Sequence, residues 1–244
     1  MNEKIALIIS THDKSDDLWA PLESTYLNYW NDINMPIYLT TNHKNFNGKL
    51  FKSLQIGNEI SWSDNIIKSL NSIQEEYVLL TFDDLFLVSK VDNTFINELL
   101  KRAVKENYNY FQLYRSISLG KRIDNTIFKK SKKTAYRNST IWSFWKKNIL
   151  LNLLQKNENA WEFERYGNIR SYKYQDFYST RFNAIPFVNG VIKGLWNPMA
   201  IKKLKKLNIV LHKNRRKLSF FNAMRHKIRD LQFDFLTYLI HKIF

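Results

Sequence analysis

The chain has 244 residues, 44% of them apolar and 15% aromatic, so it is long enough for one sizeable core and too apolar for global disorder. It carries a net charge of +16 and no cysteine, which excludes a disulfide framework, thiolate metal sites and a cysteine nucleophile. No run of about 18 apolar residues occurs and the N-terminal apolar run is too short for a secretory h-region, so a cytoplasmic protein without a membrane span is expected.

In chain order, Ile5-Ala6-Leu7-Ile8-Ile9-Ser10 reads as a buried strand, followed by a polar turn through Thr11, His12 and Asp13. Leu18, Trp19, Leu22, Tyr26, Tyr29 and Trp30 lie three or four apart, which predicts a helix over 18–30. Residues 36–41 and 50–56 read as strands, with Gly57-Asn58 as a turn. A helix follows with Ile66, Ile67, Leu70 and Ile73 on its apolar face, capped by Ser63 or Asp64. Residues 77–82 are a strand, 95–104 a helix and 110–114 a strand. That alternation predicts an α/β fold with a largely parallel sheet. Beyond Arg115 the pattern loosens. Residues 134–144 read as strand or loop, 148–154 as a short helix, and 184–195 as strand-like segments. A last helix over 198–207 has Pro198 in its first turn.

The most informative segment is Tyr77-Val78-Leu79-Leu80-Thr81-Phe82-Asp83-Asp84-Leu85-Phe86. A β-rich apolar run ends in two adjacent acids, and apolar residues resume at once. Adjacent carboxylates repel and resist burial, so keeping both at a strand end calls for a divalent cation, a ribose or another polyhydroxylated ligand. In an open α/β sheet the carboxyl ends of strands are also where ligands bind. The alternative is a turn with two solvated acids. The loop after the first strand faces the same crevice, so Ser10, Thr11, His12 and Asp13 are candidate base or ribose contacts, or ordinary turn residues.

Further along stands Asn159-Ala160-Trp161-Glu162-Phe163-Glu164. A glutamate beside an aromatic wall is suited to general-base work. Glu162 and Glu164 share a face on an extended segment and not on a helix. Trp161 and Phe163 are a sugar-stacking platform or part of the core. Lys121-Arg122 and Lys129-Lys130 offer cations to a diphosphate, or are solvated faces. No Walker A loop, Gly-X-Gly-X-X-Gly or Gly-X-Ser-X-Gly is present, which argues against kinases, P-loop ATPases, dehydrogenases and α/β-hydrolases.

An α/β half with Asp-Asp after its central strand resembles the nucleotide-sugar-binding half of GT-A-type glycosyltransferases. Ser61-Trp62-Ser63-Asp64, the segment 77–86 and the segment 159–164 together resemble small bacterial glycosyltransferases of capsule and O-antigen polysaccharide biosynthesis. The resemblance implies a GT-A-like domain over 1–200, with a donor half at about 4–115 and an acceptor half at about 116–200. It also implies a nucleotide-sugar donor and a glycan or lipid-linked oligosaccharide acceptor. Asp83 would contact ribose or sugar, Asp84 would hold Mn²⁺ or Mg²⁺, and Thr11, Asp13 and Asp64 would touch the donor. Glu162 or Glu164 would be the base. Phe82 stands where an Asp-X-Asp motif has its first acid, so the family's metal use does not carry over unmodified.

Residues 201–244 hold 12 Lys and Arg against 2 acids, a local charge of +10. Phe221, Met224, Ile228, Leu231, Phe235 and Leu239 recur at steps of three and four, with Arg225, Lys227, Arg229 and Lys242 beside them and Lys213, Arg215, Arg216 and Lys217 ahead. This is a basic amphipathic helical extension, suited to the inner face of an anionic membrane or to packing on its own domain or a second subunit. The rival reading of the whole chain is a non-catalytic basic nucleic-acid-binding protein. Charge clustered in the last 44 residues, and acids at a strand end, count against nucleic acid as a partner.

Overall fold

A computed structural model describes residues 4–212 and 215–243, and the side chains of most residues after 236 fall outside it. Lys213 and the side chain of Lys242, both counted with the basic segment, lie outside the described residues.

The first half follows the expected alternation. β1 (Ile5–Ser10), α1 (Asp16–Tyr29), β2 (Ile37–Thr41), β3 (Phe51–Gln55), α2 (Trp62–Asn71) and β4 (Tyr77–Phe82) succeed one another in order. Next come β5 (Leu85–Leu87), α3 (Asn93–Lys105) and β6 (Tyr110–Gln112). The second half adds β7 (Gly120–Arg122), β8 (Ile127–Lys130), β9 (Ser143–Lys146) and α4 (Lys147–Leu153). A composite helical segment follows: α5 (Ala160–Glu162), a π-helical stretch (Phe163–Gly167), α6 (Asn168–Arg170) and a 3-10 turn (Ser171–Lys173). The chain ends with β10 (Phe177–Thr180), β11 (Phe187–Asn189), β12 (Val191–Ile192), β13 (Leu195–Trp196), α7 (Pro198–Lys206) and α8 (Phe220–Ile243).

Nine strands form one sheet in the order β3-β2-β1-β4-β9-β6-β10-β8-β7. The pairs β2–β3, β1–β2, β1–β4 and β6–β10 are parallel, while β9 and β8 run against their neighbours. The sheet is therefore mostly parallel with two reversed strands. Side-chain alternation divides its core into two layers. Ile5, Leu7, Ile9, Tyr77 and Leu79 pack on the face that meets α1 and α3. Ala6, Ile8, Val78, Leu80 and Trp145 pack on the other, against α2 and α4. With both faces covered, β1 and β4 are continuous apolar runs, and each fully buried Leu or Ile contributes roughly 1.5–3 kcal/mol.

Sequence periodicity missed three features. The cap of α2 is Ser61, whose hydroxyl accepts the Asp64 N–H at 3.2 Å, so the helix begins ahead of the expected Ser63 or Asp64. β9 inserts between β4 and β6 from a stretch read as strand or loop. The three-residue β5 pairs with β11 beneath the acidic turn. Residues 198–212 and 215–218 are joined to the body: Ala200 and Leu204 are buried, Trp196 bridges to Lys217, and Leu218 donates to the Trp196 carbonyl.

Candidate active site

β4 ends at Phe82, and Asp83 and Asp84 make the turn into β5 at the carboxyl end of the parallel strands. β11 backs this turn, because the Gly190 N–H donates to the Asp84 carbonyl at 2.7 Å. A Cβ on Gly190 would lie 2.4 Å from the Phe86 ring, so only glycine allows that approach.

The loop after β1 reaches the same turn. Asp83 N–H donates to the Ser10 carbonyl at 3.3 Å, and the Thr11 hydroxyl donates to Asp83 Oδ2 at 2.5 Å. Trp19 Nε1, which can only donate, takes one lone pair of Thr11 Oγ1 at 2.9 Å and leaves its O–H free to face Asp83. His12 stands beside Asp83, and its Nδ1 is buried without a hydrogen-bond partner.

Burial pushes the Asp83 carboxyl up to about 6, against the Thr11 hydroxyl and the charges of His12 and Arg215 that favour ionisation. Asp84 is pushed up to about 8, first by burial and then by the charge of Asp83 beside it. Both carboxyls are thus held above the usual carboxylate range, Asp84 further than Asp83. The cation facing them is Arg215, which the sequence placed only in a basic run. Its guanidinium grips Asp17 in the first turn of α1 at 2.8 and 2.6 Å, donates to the Gly194 carbonyl at 3.2 Å, and faces both Asp83 and Asp84. No spacing rule links Arg215 to an acid pair some 130 residues earlier; the β12–β13 ribbon and its bridge to Lys217 bring it there.

The remaining candidates are engaged by the protein itself. Asp13 accepts the backbone N–H groups of Asn42, His43 and Lys44 at 2.8, 2.9 and 3.1 Å. Burial pushes its carboxyl up, and those three amides more than reverse this, leaving it below the usual range. Asp64 accepts the Asn157 N–H at 2.8 Å and the Ser61 hydroxyl at 2.7 Å, which hold its carboxyl low. It thereby straps α2 to the chain entering the composite helical segment. Ser63 and Glu158 reinforce the strap with two bonds of 3.0 Å.

That segment is helical, so Glu162 and Glu164 do not share a face. Glu162 closes a capping box, accepting the Asn159 N–H at 2.8 Å. Glu164 Oε1 accepts from Ser139 Oγ, Thr140 N and Thr140 Oγ1 at 2.8, 2.7 and 2.9 Å. It thus fixes the strand-entry loop just before β9, whose first residue, Ser143, pairs with Leu80 near the acidic end of β4. Phe163 is core, while Trp161 is 81% exposed. Neither glutamate is hydrogen-bonded to the acidic turn. The link between them is Trp62, whose ring lies 6.5 Å from Phe82 and 5.3 Å from Phe163 while its Nε1 donates to Ser10 Oγ at 3.1 Å.

Among the described residues no group of three or more His, Asp or Glu side chains gathers into a cation cage. Asp83 and Asp84 do supply the hard oxygen donors that Mg²⁺ or Mn²⁺ takes, and a cation would relieve the repulsion that Asp83 exerts on Asp84.

No protein-family profile and no curated protein matches the sequence. Solved structures match by fold. S. aureus TarS 1–349 aligns with a TM-score of 0.51 at 9% identity, over 75% of this chain and 59% of that one. UDP-glucose pyrophosphorylase complexed with UDP-glucose aligns with a TM-score of 0.54 at 9% identity, over 85% of this chain and 99% of that one. Its apo form gives 0.50 at 7% identity, over 76% and 91%. The chain thus spans about three fifths of the TarS fragment. What these identities establish is the fold, the GT-A-like, Rossmann-type α/β arrangement of a mostly parallel sheet flanked by helices.

Proposed function

We propose that the chain is a glycosyltransferase that moves a sugar from a nucleotide diphospho-sugar to a glycan acceptor carried on a lipid, in the assembly of a bacterial surface polysaccharide such as capsule or O-antigen. The observation that carries this reading is the half-buried Asp83–Asp84 turn at the carboxyl end of β4, met by Thr11 from the β1 loop and by Arg215. TarS and UDP-glucose pyrophosphorylase, the latter with UDP-glucose bound, share the fold that frames it.

In this reading Asp83 takes the ribose or sugar hydroxyls, with Thr11 and His12 beside it, and Arg215 faces the diphosphate. Asp13 and Asp64 act on the donor through the loops they pin. Asp84 would hold a divalent cation, which when bound supplies positive charge against the departing diphosphate. Glu164 or Glu162 accepts the proton of the acceptor hydroxyl as its oxygen bonds to the anomeric carbon and the bond to the diphosphate oxygen breaks. Attack from the side opposite the diphosphate inverts the anomeric carbon. Arg215 offers what the acid pair lacks, a fixed cation where negative charge develops.

A nucleotidyltransferase is the second reading, favoured by the near-complete coverage of the pyrophosphorylase chain. It would need a cradle for a triphosphate, and loop 10–16 after β1 contains no glycine to form one. Thermal-shift titration with UDP, GDP, CDP and dTDP, each with and without Mn²⁺, tests the proposal, because a ligand of the folded state alone raises its melting temperature. One nucleoside diphosphate is expected to stand out. A larger response to a nucleoside triphosphate would favour the second reading, and a response to an oligonucleotide alone would favour the nucleic-acid binder.

The extension is the membrane contact of this proposal, on the cytoplasmic face. On α8, Phe221, Met224, Ile228, Leu231 and Phe235 are between 42% and 82% exposed, so these five apolar side chains stand open, and Arg225, Lys227 and Arg229 are exposed with them. No helix of the described residues is long and apolar enough to cross a membrane. Charge and stripe together fit the headgroup layer of an anionic bilayer. Removing residues after Ser219 is expected to cut co-sedimentation with phosphatidylglycerol vesicles at least tenfold and to leave nucleotide binding intact. Equal binding to neutral vesicles, or none by the full chain, would remove the membrane from the proposal.

A further inference from the structure

The opposite edge of the sheet holds a second concentration of charge. β8 pairs antiparallel with β10, Lys129 against Tyr178, so Lys130 closes β8 level with the start of β10. β7 starts at the same edge, with Gly120 against Lys130. An open cleft of about 350 Å³ lies between these ends, and Lys121, Lys129, Lys130, Lys132 and Arg137 line it, with Asp176 the acid among its lining residues. Asp176 is already neutralised by Lys129 at 3.0 Å.

Two of these cations are buried without a carboxylate partner. Lys130 is 3% exposed, and its Nζ donates to the Gln112 side-chain oxygen at 2.7 Å and the Tyr136 carbonyl at 3.3 Å, above the Tyr110 ring. Arg137 is 1% exposed. It donates to the Ser171 carbonyl and hydroxyl and to the Tyr174 carbonyl, stacks on Phe177 at 3.8 Å, and has a buried Nε with no partner. Burial and the neighbouring Arg137 hold Lys130 well below the usual lysine range, with Glu164 opposing. Burying cations among neutral oxygens is costly unless an anion completes the set. Lys121 and Lys132, both exposed, stand at the mouth.

We propose that this cleft binds a phosphate-bearing ligand, with its phosphate oxygens taken by Lys130 and Arg137 inside and by Lys121 and Lys132 at the entrance. The site lies at the amino edge of the parallel strands, away from Asp83 and Asp84, and rests on its own geometry rather than on the transferase reading. Phosphate oxygens match the Arg137 guanidinium and the Lys121 and Lys132 ammonium groups through charge-assisted bonds, and an anion beside Lys130 opposes the shift that burial and Arg137 impose on it.

The test is calorimetric titration of the full chain with inorganic pyrophosphate and, separately, with geranyl diphosphate, both without divalent metal. Binding is expected to weaken at least tenfold in Lys121→Ala/Lys132→Ala and in Lys130→Met. Lys130→Met keeps most of the length and bulk of the side chain, so it is expected to fold; where it does not, the exposed pair decides. Tighter binding of geranyl diphosphate than of pyrophosphate would support the site with a lipid-borne ligand, and equal binding would support it with a soluble one. No binding of either, or binding that the cleft variants leave intact, overturns the site. Loss in Asp84→Asn alone would assign the diphosphate to the acidic crevice and likewise overturn it.

Discussion

Asp84→Asn is expected to make the ligand-free protein more stable at pH 8 and to abolish its Mn²⁺-dependent stabilisation by a nucleoside diphosphate. The sign follows from the direction of the shifts. In the unfolded chain both carboxyls titrate near 4; in the fold, burial pushes Asp83 to about 6 and, with the charge of Asp83, Asp84 to about 8. Between those limits the folded state binds more protons than the unfolded one, so stability falls as pH rises from about 4 to about 8. Asparagine keeps the shape and removes the charge. Relaxation and water lower the full linkage value, so the gain at pH 8 is put at about 2–5 kcal/mol, or roughly 5 °C or more in melting temperature. At pH 4 the two proteins should melt together. A difference independent of pH would remove the buried-acid argument. A variant that keeps its Mn²⁺-dependent nucleotide response would remove Asp84 from the donor site.

The same physics explains what was legible in the sequence. β1 and β4 are buried on both faces, so their apolar runs are unbroken, and their observed limits coincide with the expected 5–10 and 77–82. α1 and α3 show their periodicity because each buries one stripe. β9 and β5 did not announce themselves, since three or four residues are too few to show alternation against neighbouring aromatic residues. The acidic turn was readable because burying two adjacent charges is costly enough to be conspicuous. Its surroundings were not. Trp62 shows in the sequence only as one residue of Ser61-Trp62-Ser63-Asp64, yet its ring spans from Phe82 to Phe163 and its indole holds Ser10. Asp13 and Asp64 look like ligand contacts in a sequence, and only the fold reveals the backbone amides they hold.

Arg215 is the residue on which this difference matters most, and Arg215→Met is expected to lower both stability and donor affinity. The stability loss is local: its pair with Asp17 is mostly buried, 15% and 19% exposed at the two side chains, and removing one partner strands the other. A loss of roughly 1–3 kcal/mol fits a pair that still touches water. The donor effect has another source, the loss of a cation that faces Asp83 and Asp84, and is put at tenfold or more in nucleoside diphosphate affinity. The two effects separate in a cycle with Asp17→Asn. The double variant leaves no stranded charge at that pair, so its melting temperature should return toward that of the wild-type protein. Its donor affinity should stay low, since nothing replaces the guanidinium. Recovery of both together would make Arg215 a brace for α1 and no part of the site. Recovery of stability alone would place a residue of the C-terminal segment at the donor diphosphate, joining by one side chain the end of the chain that bears the basic helix to the acids that close β4.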